Sequence, residues 1–419
     1  MNEEKKERFI LAGVHRSLRD ALADTTDESI NELGELVKTA GGEVAGIVIQ
    51  NKPDLEAATY MGQGKLEEIK AAIETLDADC IVFDDELSPV QMRNISDMLE
   101  IKVLDRSMLI LDIFAMRAKT CEGKLQVELA QLKYRLPRLR GFGAEMSRTG
   151  AGIGTRGPGE TRLESDRRHI HRRISALEEE IKELKKRREL LRSRRKKDGV
   201  ITAALVGYTN AGKSTLLNTL TDAGVFAEDK LFATLDPTSR GITLEDNRNI
   251  LLVDTVGFIR KLPHHLVEAF KSTLEEAVVA DFLLHVIDCS GDEAQNQIDV
   301  VERVLSEIGA SGKPVIGVFN KCDKVQEEPV LMGNFDLRVS ISAKQGININ
   351  GLMEAIADTA PGKKRRLTIC LPYSMGAEVS ELHRSQKVIS EEYIAEGTKM
   401  EILADNSAYE RIKEYVIEE

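Results

Sequence analysis

Between Ile201 and Leu220 the chain reads ITAALVGYTNAGKSTLLNTL. An apolar run of strand character leads into Gly207–Ser214, which has the form GxxxxGKS, and an apolar helical pattern follows. Few sequences are as restrictive, because strand, loop and helix must form one unit in which backbone N–H groups face an anion at the helix N-terminus. Lys213 is expected to reach the β/γ-phosphates of a nucleotide, and Ser214 to place its hydroxyl on Mg2+. Gly207, Tyr208, Thr209, Asn210, Ala211, Gly212 and Thr215 complete the expected phosphate contacts.

Three further stretches follow in order, each at the end of an apolar run. ILLVDTVGF, Ile250 to Phe258, would bring Asp254 into the Mg2+ sphere through water, with Thr255, Val256 and Gly257 beside the nucleotide and the Gly257 N–H sensing a γ-phosphate. PVIGVFNKCD ends in Asn320, Lys321, Cys322 and Asp323. A carboxylate at Asp323 can accept hydrogen bonds from guanine N1–H and the N2 amine, which adenine lacks there, while Asn320 and Lys321 would brace the base and the phosphate loop. VSISAKQG adds Ser342, Ala343 and Lys344 as a turn behind the base. Together they predict a GTP-binding hydrolase of Ras-like fold, with Lys213, Thr234 and Gly257 as the catalytic set. Thr234 comes from LFATLDPTSR, where Phe232, Ala233, Leu235 and Asp236 are its expected companions at the nucleotide. It is preferred over Thr238 because it lies 20 residues after Ser214 and precedes a strand from Ser239 onward. Its hydroxyl would complete the Mg2+ shell only with the γ-phosphate present.

At 419 residues the chain exceeds one ordinary core, and its remainder divides by pattern. RFILAGVH, VAGIVIQ, DCIVFDD and IKVLD read as strands, with helices near Ser29 to Thr39, Gly64 to Leu76 and Ser88 to Leu99. That alternation predicts an α/β unit on a mostly parallel sheet. DDELS, with Asp84, Asp85 and Glu86, reads as an acidic turn rather than a metal site. From about Ser107 the pattern turns to long helices. Leu125, Leu129, Leu132, Leu136 and Leu139 form one seam; Ile170, Ile174, Leu177, Ile181, Leu184 and Leu191 form another. The two seams predict an antiparallel helical hairpin joined across Gly141 to Gly159. That connection contains GIGTRG, a match to the dinucleotide-binding pattern, but PRLRGFGAEM before it is no strand, so the match is set aside.

The net charge of −12 argues against nucleic acid when taken alone. Yet Ser147 to Lys197 holds 17 Lys+Arg against 8 Asp+Glu, and Arg148, Arg156 and Arg162 lie on or beside the glycine-rich tip as expected RNA contacts. KKRRL, Lys363 to Leu367, reads as a boundary or as an RNA contact, and a strand, a helix, a hairpin across Glu396-Gly397 and a final helix follow. The expected division is residues 1–106, an N-terminal α/β domain; 107–198, the hairpin; 199–361, the P-loop domain; and 362–419, a small α+β domain. Five dispersed cysteines without a CxxC read as reduced thiols. His169, His171, His264 and His265 lack the partners of a zinc site. With no apolar run near 18 residues and no signal-peptide core, a cytoplasmic, monomeric protein without membrane insertion is expected.

These residues resemble the HflX family of translational GTPases. The resemblance spans nearly the whole chain, through GYTNAGKS, FATLDPT, DTVGFI, NKCD and SAK, and more discriminatingly through GKLQVELAQLKYRLPRL and GPGETRLESDRR. It implies the ribosome as partner, chiefly the large subunit and its RNA, and the splitting of stalled or idle ribosomes as role. A GTP-dependent RNA-remodelling enzyme and a regulatory switch with a protein partner alone are the other readings. One departure from most GTPases bears on rate. The position after DTVG usually carries a glutamine that orients water, and here it is Phe258, which predicts slow intrinsic hydrolysis. Asn210, within GxxNxGKS, is expected to support a bound K+ near the phosphates.

Overall fold

The computed structural model describes residues 6–15, 26–139, 158–197, 199–221, 231–232, 238–246, 248–261, 263, 271–327, 329–362 and 365–418. Strand β1 (Arg8–His15) is central to the first sheet, with β2 (Glu43–Asn51), β3 (Cys80–Phe83) and β4 (Lys102–Asp105) in the order β2-β1-β3-β4. All its pairings are parallel. Side chains alternate across a strand, so each face of this sheet has its own core. Phe9 and Leu11 pack with α1 (Thr26–Thr39) and α4 (Arg106–Arg117), while Ile10, Ala12 and Val14 pack with α2 (Gln63–Leu76) and α3 (Pro89–Leu99). Helix α3 begins on a capping box, with the Ser88 hydroxyl accepting from Gln91 N–H and the Gln91 side chain accepting from Ser88 N–H.

Helix α5 (Cys121–Arg138) starts at Thr120, whose hydroxyl accepts the Gly123 N–H at 2.9 Å. It pairs with α6 (Pro158–Lys197), a helix of 40 residues. Proline at its first position fits an N-terminus, where the missing N–H removes no helical bond. Leu129, Ile174 and Leu177 form the buried seam, flanked by Leu125, Leu132, Leu136, Ile170 and Ile181. Glu122–Arg188 at one end and Lys133–Glu178 further along show the antiparallel sense. Three expectations need correction. Helix α6 already begins at Pro158, so Gly159 is helical and not part of the connection. Leu191 is 52% exposed, because α6 outruns its shorter partner, and Leu139 caps α5 outside the seam.

The second sheet has the order β10-β9-β8-β5-β7-β6, in which β5 (Ile201–Val206), β7 (Asn249–Asp254), β8 (Phe282–Asp288), β9 (Val315–Asn320) and β10 (Leu337–Ser340) run parallel. Its edge strand β6 (Thr238–Thr243) is antiparallel. The third sheet is antiparallel throughout, β12 (Lys387–Ile394), β13 (Gly397–Ala404), β11 (Arg365–Leu371) and β14 (Val416–Glu418) in that order, with the helices Gly376–Ser385 and Asn406–Ile412. The expected final helix is thus followed by a strand, and the hairpin turns at Ala395-Glu396 rather than Glu396-Gly397. The chain is therefore a multidomain α/β protein with a P-loop sheet, a helical region and an α+β C-terminal part. No helix among the described residues is long and apolar enough to cross a membrane.

Candidate functional site

Strand β5 ends at Val206 and delivers Gly207 to Gly212 as a loop that enters helix α7 (Lys213–Thr221). Asn210 and Gly212 both have positive φ, 63° and 97°. At Gly212 a Cβ would run into the Asn320 amide, so the loop requires glycine there. Lys213 is buried, and its ammonium donates to the Gly207 and Tyr208 carbonyls at 3.0 and 2.8 Å. Burial draws its pKa down to about 8, against a partial opposing pull from Asp254. The Ser214 hydroxyl donates to Asp254 Oδ2 at 2.7 Å, which joins the two expected metal residues. Thr209 Oγ1 is buried with no hydrogen-bond partner among the described residues. A buried ammonium and a buried hydroxyl converging on one loop are what a phosphate group would satisfy.

The segment after β7 lies against that loop. Thr209 N–H donates to the Phe258 carbonyl at 2.7 Å and Phe258 N–H to the Gly207 carbonyl at 3.2 Å, a short parallel bridge. A Cβ on Gly257 would stand 2.7 Å from Thr209 Cγ2 and 3.1 Å from Lys213 Nζ, so only glycine lets the segment approach this closely. The Phe258 ring packs in a core with Tyr208, Leu274 and Ala277 and carries no group that could orient water. Thr255 is held by its hydroxyl to the Leu205 carbonyl at 2.7 Å.

On the opposite side, Asn320 ties three motifs together. Its amide donates to the Ala211 carbonyl at 2.8 Å, and its side-chain oxygen accepts the Ala343 N–H at 3.0 Å. Lys321, at φ 65°, pairs with Asp288 at 2.6 Å, and Asp323 accepts from Gln345 at 3.1 Å. Ser342 is buried, Lys344 is exposed, and the Ala343 carbonyl receives the Thr219 hydroxyl at 2.8 Å.

The parts found in order along the chain are thus one site in space. Over 412 residues the chain is 50% identical to a GTPase HflX of Caldanaerobacter subterraneus subsp. tengcongensis, covering 98% of this chain and 94% of that protein. The chain belongs to the HflX family of GTPases. A GTPase HflX of Lacrimispora saccharolytica is 51% identical over 94% of this chain and 93% of its own length. Family models described as GTP-binding GTPase N-terminal, GTP-binding GTPase Middle Region and 50S ribosome-binding GTPase match residues 27–115, 117–195 and 202–321. A GDP-bound crystal structure of a GTP-binding protein from Sulfolobus solfataricus is 29% identical, covering 84% of this chain and 98% of that one at a TM-score of 0.44. As an HflX-family member the protein binds GTP and GDP and hydrolyses GTP.

Several expected HflX-family site residues fall elsewhere or outside the described residues. Phe232 turns its ring into the N-terminal core, edge-on to Phe114 at 4.7 Å between centroids, so its side chain is not a nucleotide contact. Val256 joins the same core and has only its backbone at the site. Ala233, Thr234, Leu235 and Asp236 lie outside the described residues, as do Arg148, Arg156, His264 and His265, and the side chain of Arg162. No group of three or more His, Cys, Asp or Glu suited to a metal occurs among the described residues.

Sequence reasoning missed a polar seam between the N-terminal unit and the nucleotide loops. Arg260 pairs with Glu28 at 2.6 Å and with Glu293; Lys261 pairs with Asp84 and, at 3.0 Å, with Asp85. Arg106, fully buried, bridges Asp84 at 2.8 Å and Glu32. The acidic turn DDELS is therefore the counter-charge for a lysine 177 residues away. Burial works to raise the Asp84 pKa, but Arg106 and Lys261 outweigh it and hold the carboxyl below the usual range. The available signal was Arg260-Lys261, two cations directly after the apolar VGFI.

Proposed function

We propose that this GTPase acts on the ribosome, binding chiefly the large subunit and its RNA, and uses the GTP cycle to dissociate stalled or idle ribosomes. The observation that carries the reading is the hairpin. Its first arm is built onto the N-terminal sheet, where the Tyr134 hydroxyl donates to buried Asp105 and the Arg138 guanidinium lies 3.3 Å above the Tyr134 ring. Its second arm is tied to helix α8 (Lys271–Val279), which follows the Gly257 segment, through Lys185–Glu275 at 2.8 Å and Arg192–Glu276 at 2.5 Å. The glycine-rich basic stretch with Arg148 and Arg156 joins the two arms, with Arg162 in the first turns of the second arm, so the tip that would touch RNA is linked to the nucleotide site by packed elements. The match of residues 202–321 to a family described as 50S ribosome-binding supports the same partner.

Within the site, Lys213 would hold the β/γ-phosphates, and Gly257 N–H would sense the γ-phosphate. Ser214 and Thr234, with Asp254 through water, would hold Mg2+, which supplies charge neutralisation of the phosphates when bound. Asp323 would read guanine. Asn210 would support K+, and the core position of Phe258 favours slow hydrolysis until the ribosome completes the site. The division at residues 106, 198 and 361 and a monomeric, cytoplasmic state complete the proposal. Co-sedimentation with purified large subunits under a GTP analogue and under GDP tests it. Retention with the analogue and release with GDP is expected; absence from the subunit pellet under both would reject the ribosomal reading in favour of another RNA or a protein partner.

A further inference from the structure

Tyr208 is the second residue of the phosphate loop, yet its side chain points away from the phosphates. The ring is buried against Phe258 and Leu274. Its hydroxyl accepts the Arg260 N–H at 2.8 Å and donates to the Glu32 carboxylate on α1. Glu32 is fixed in turn by Arg106. With the bonds Thr209 N–H to Phe258 carbonyl and Phe258 N–H to Gly207 carbonyl, this makes a row of three contacts between the phosphate loop and residues 258–260.

The row matters because of what it occupies. Backbone N–H groups of a P-loop exist to face phosphate oxygens, and here the Thr209 N–H is given to a carbonyl. Gly257 is packed onto Thr209 and close to Lys213, where a third phosphate would need room. Seating that phosphate would need the segment to withdraw, and the bond at Arg260 is one of the three that hold it. Its acceptor is a side chain rather than backbone, so it can be removed without altering the loop's main chain.

We propose that Tyr208 is a positioning residue for the segment after β7: held by Glu32, its hydroxyl keeps residues 258–260 fastened to the phosphate loop and so lowers the affinity for GTP relative to GDP. The inference rests on the GTPase activity and not on the ribosomal reading. Tyr208→Phe keeps the ring and its packing while deleting the one atom that both accepts from Arg260 and donates to Glu32. Glu32→Gln keeps an acceptor for the phenol but weakens it.

The test uses the full chain, titrated with GDP and with a non-hydrolysable GTP analogue, alongside single-turnover GTP hydrolysis. Tyr208→Phe is expected to shift the analogue-to-GDP affinity ratio toward the analogue by about three- to tenfold, the scale of one hydrogen bond, and to raise the hydrolysis rate without raising KM. Glu32→Gln should give a smaller shift of the same sign. The double variant should match Tyr208→Phe alone, because both act through one atom. An unchanged ratio in a folded Tyr208→Phe protein, or fully additive effects in the double variant, would overturn the proposal. If Tyr208→Phe does not fold, the Glu32→Gln ratio decides by itself. A wild-type protein that failed to hydrolyse GTP would instead remove the activity on which the inference stands.

Discussion

Lys213 sits among carbonyl oxygens with Asp254 nearby, and burial brings its pKa to about 8 from an ordinary value near 10.5. The unfolded chain therefore binds more protons than the folded one between those values, so the cost to the fold is complete below about 8 and fades as pH rises toward 10.5. A bound phosphate reverses the balance by favouring the ammonium. GDP binding should then take up protons at pH 8.5, and its affinity should weaken by up to about tenfold per pH unit above 8. Calorimetry in two buffers of different ionisation enthalpy checks this, and zero proton uptake would count against Lys213 as a phosphate ligand. Asp323 allows a second expectation. Asp323→Asn should cost roughly a hundredfold or more in GTP affinity, since two charge-assisted bonds are lost, and should admit xanthosine triphosphate, whose carbonyl replaces the guanine amine. Normal GTP binding by that variant in a fluorescence titration would show that Asp323 does not read the base. Single residues of this kind were legible because each motif fixes its own backbone. Glu32 and Asp84 were not, since their partners Tyr208 and Lys261 lie 176 and 177 residues on and no local pattern records such a pairing.

At the level of elements, short continuous apolar runs identified the strands of the first sheet because both faces of each strand are buried, and helical periodicity identified most of the helices between them. The hairpin shows the limit of that reasoning. A repeat of leucines and isoleucines marks a face, but how far the face is covered depends on the length of the partner helix. Leu177 is fully buried and Leu191 is half exposed, although both continue one spacing. Leu177→Ala should destabilise the protein by about 2–5 kcal/mol, as cavity-forming changes do, while Leu191→Ala should stay within roughly 0.5 kcal/mol. Chemical denaturation of the two variants separates them. Equal losses would mean that the end of α6 is covered as fully as the seam. The C-terminal strand β14 escaped notice for a different reason. Three residues, Val416–Glu418, are too few to show alternation, and it is pairing with β11 that defines them as a strand.

For the whole molecule, the arrangement ties a basic tip to the nucleotide site through two arms with different attachments. Replacing Gly150 to Gly159 with a short neutral linker should leave GTP affinity intact, abolish ribosome splitting and reduce ribosome-stimulated hydrolysis. Each lost arginine contact should also lower the salt dependence of ribosome binding. Light scattering of intact ribosomes, beside a nucleotide titration, is the check; normal splitting by the variant would refute the tip's role, and lost GTP binding would return GIGTRG to the nucleotide. The shared core has a consequence for how such a chain is made. Phe232, Val256 and Ile259 complete a cluster that otherwise belongs to the first sheet and its helices, Phe114 among them. At about 5–20 residues per second of synthesis, roughly 6–24 seconds separate the emergence of Phe114 from that of Phe232. During that interval the nascent N-terminal unit carries a bare apolar face, and the later P-loop unit arrives as the piece that closes it.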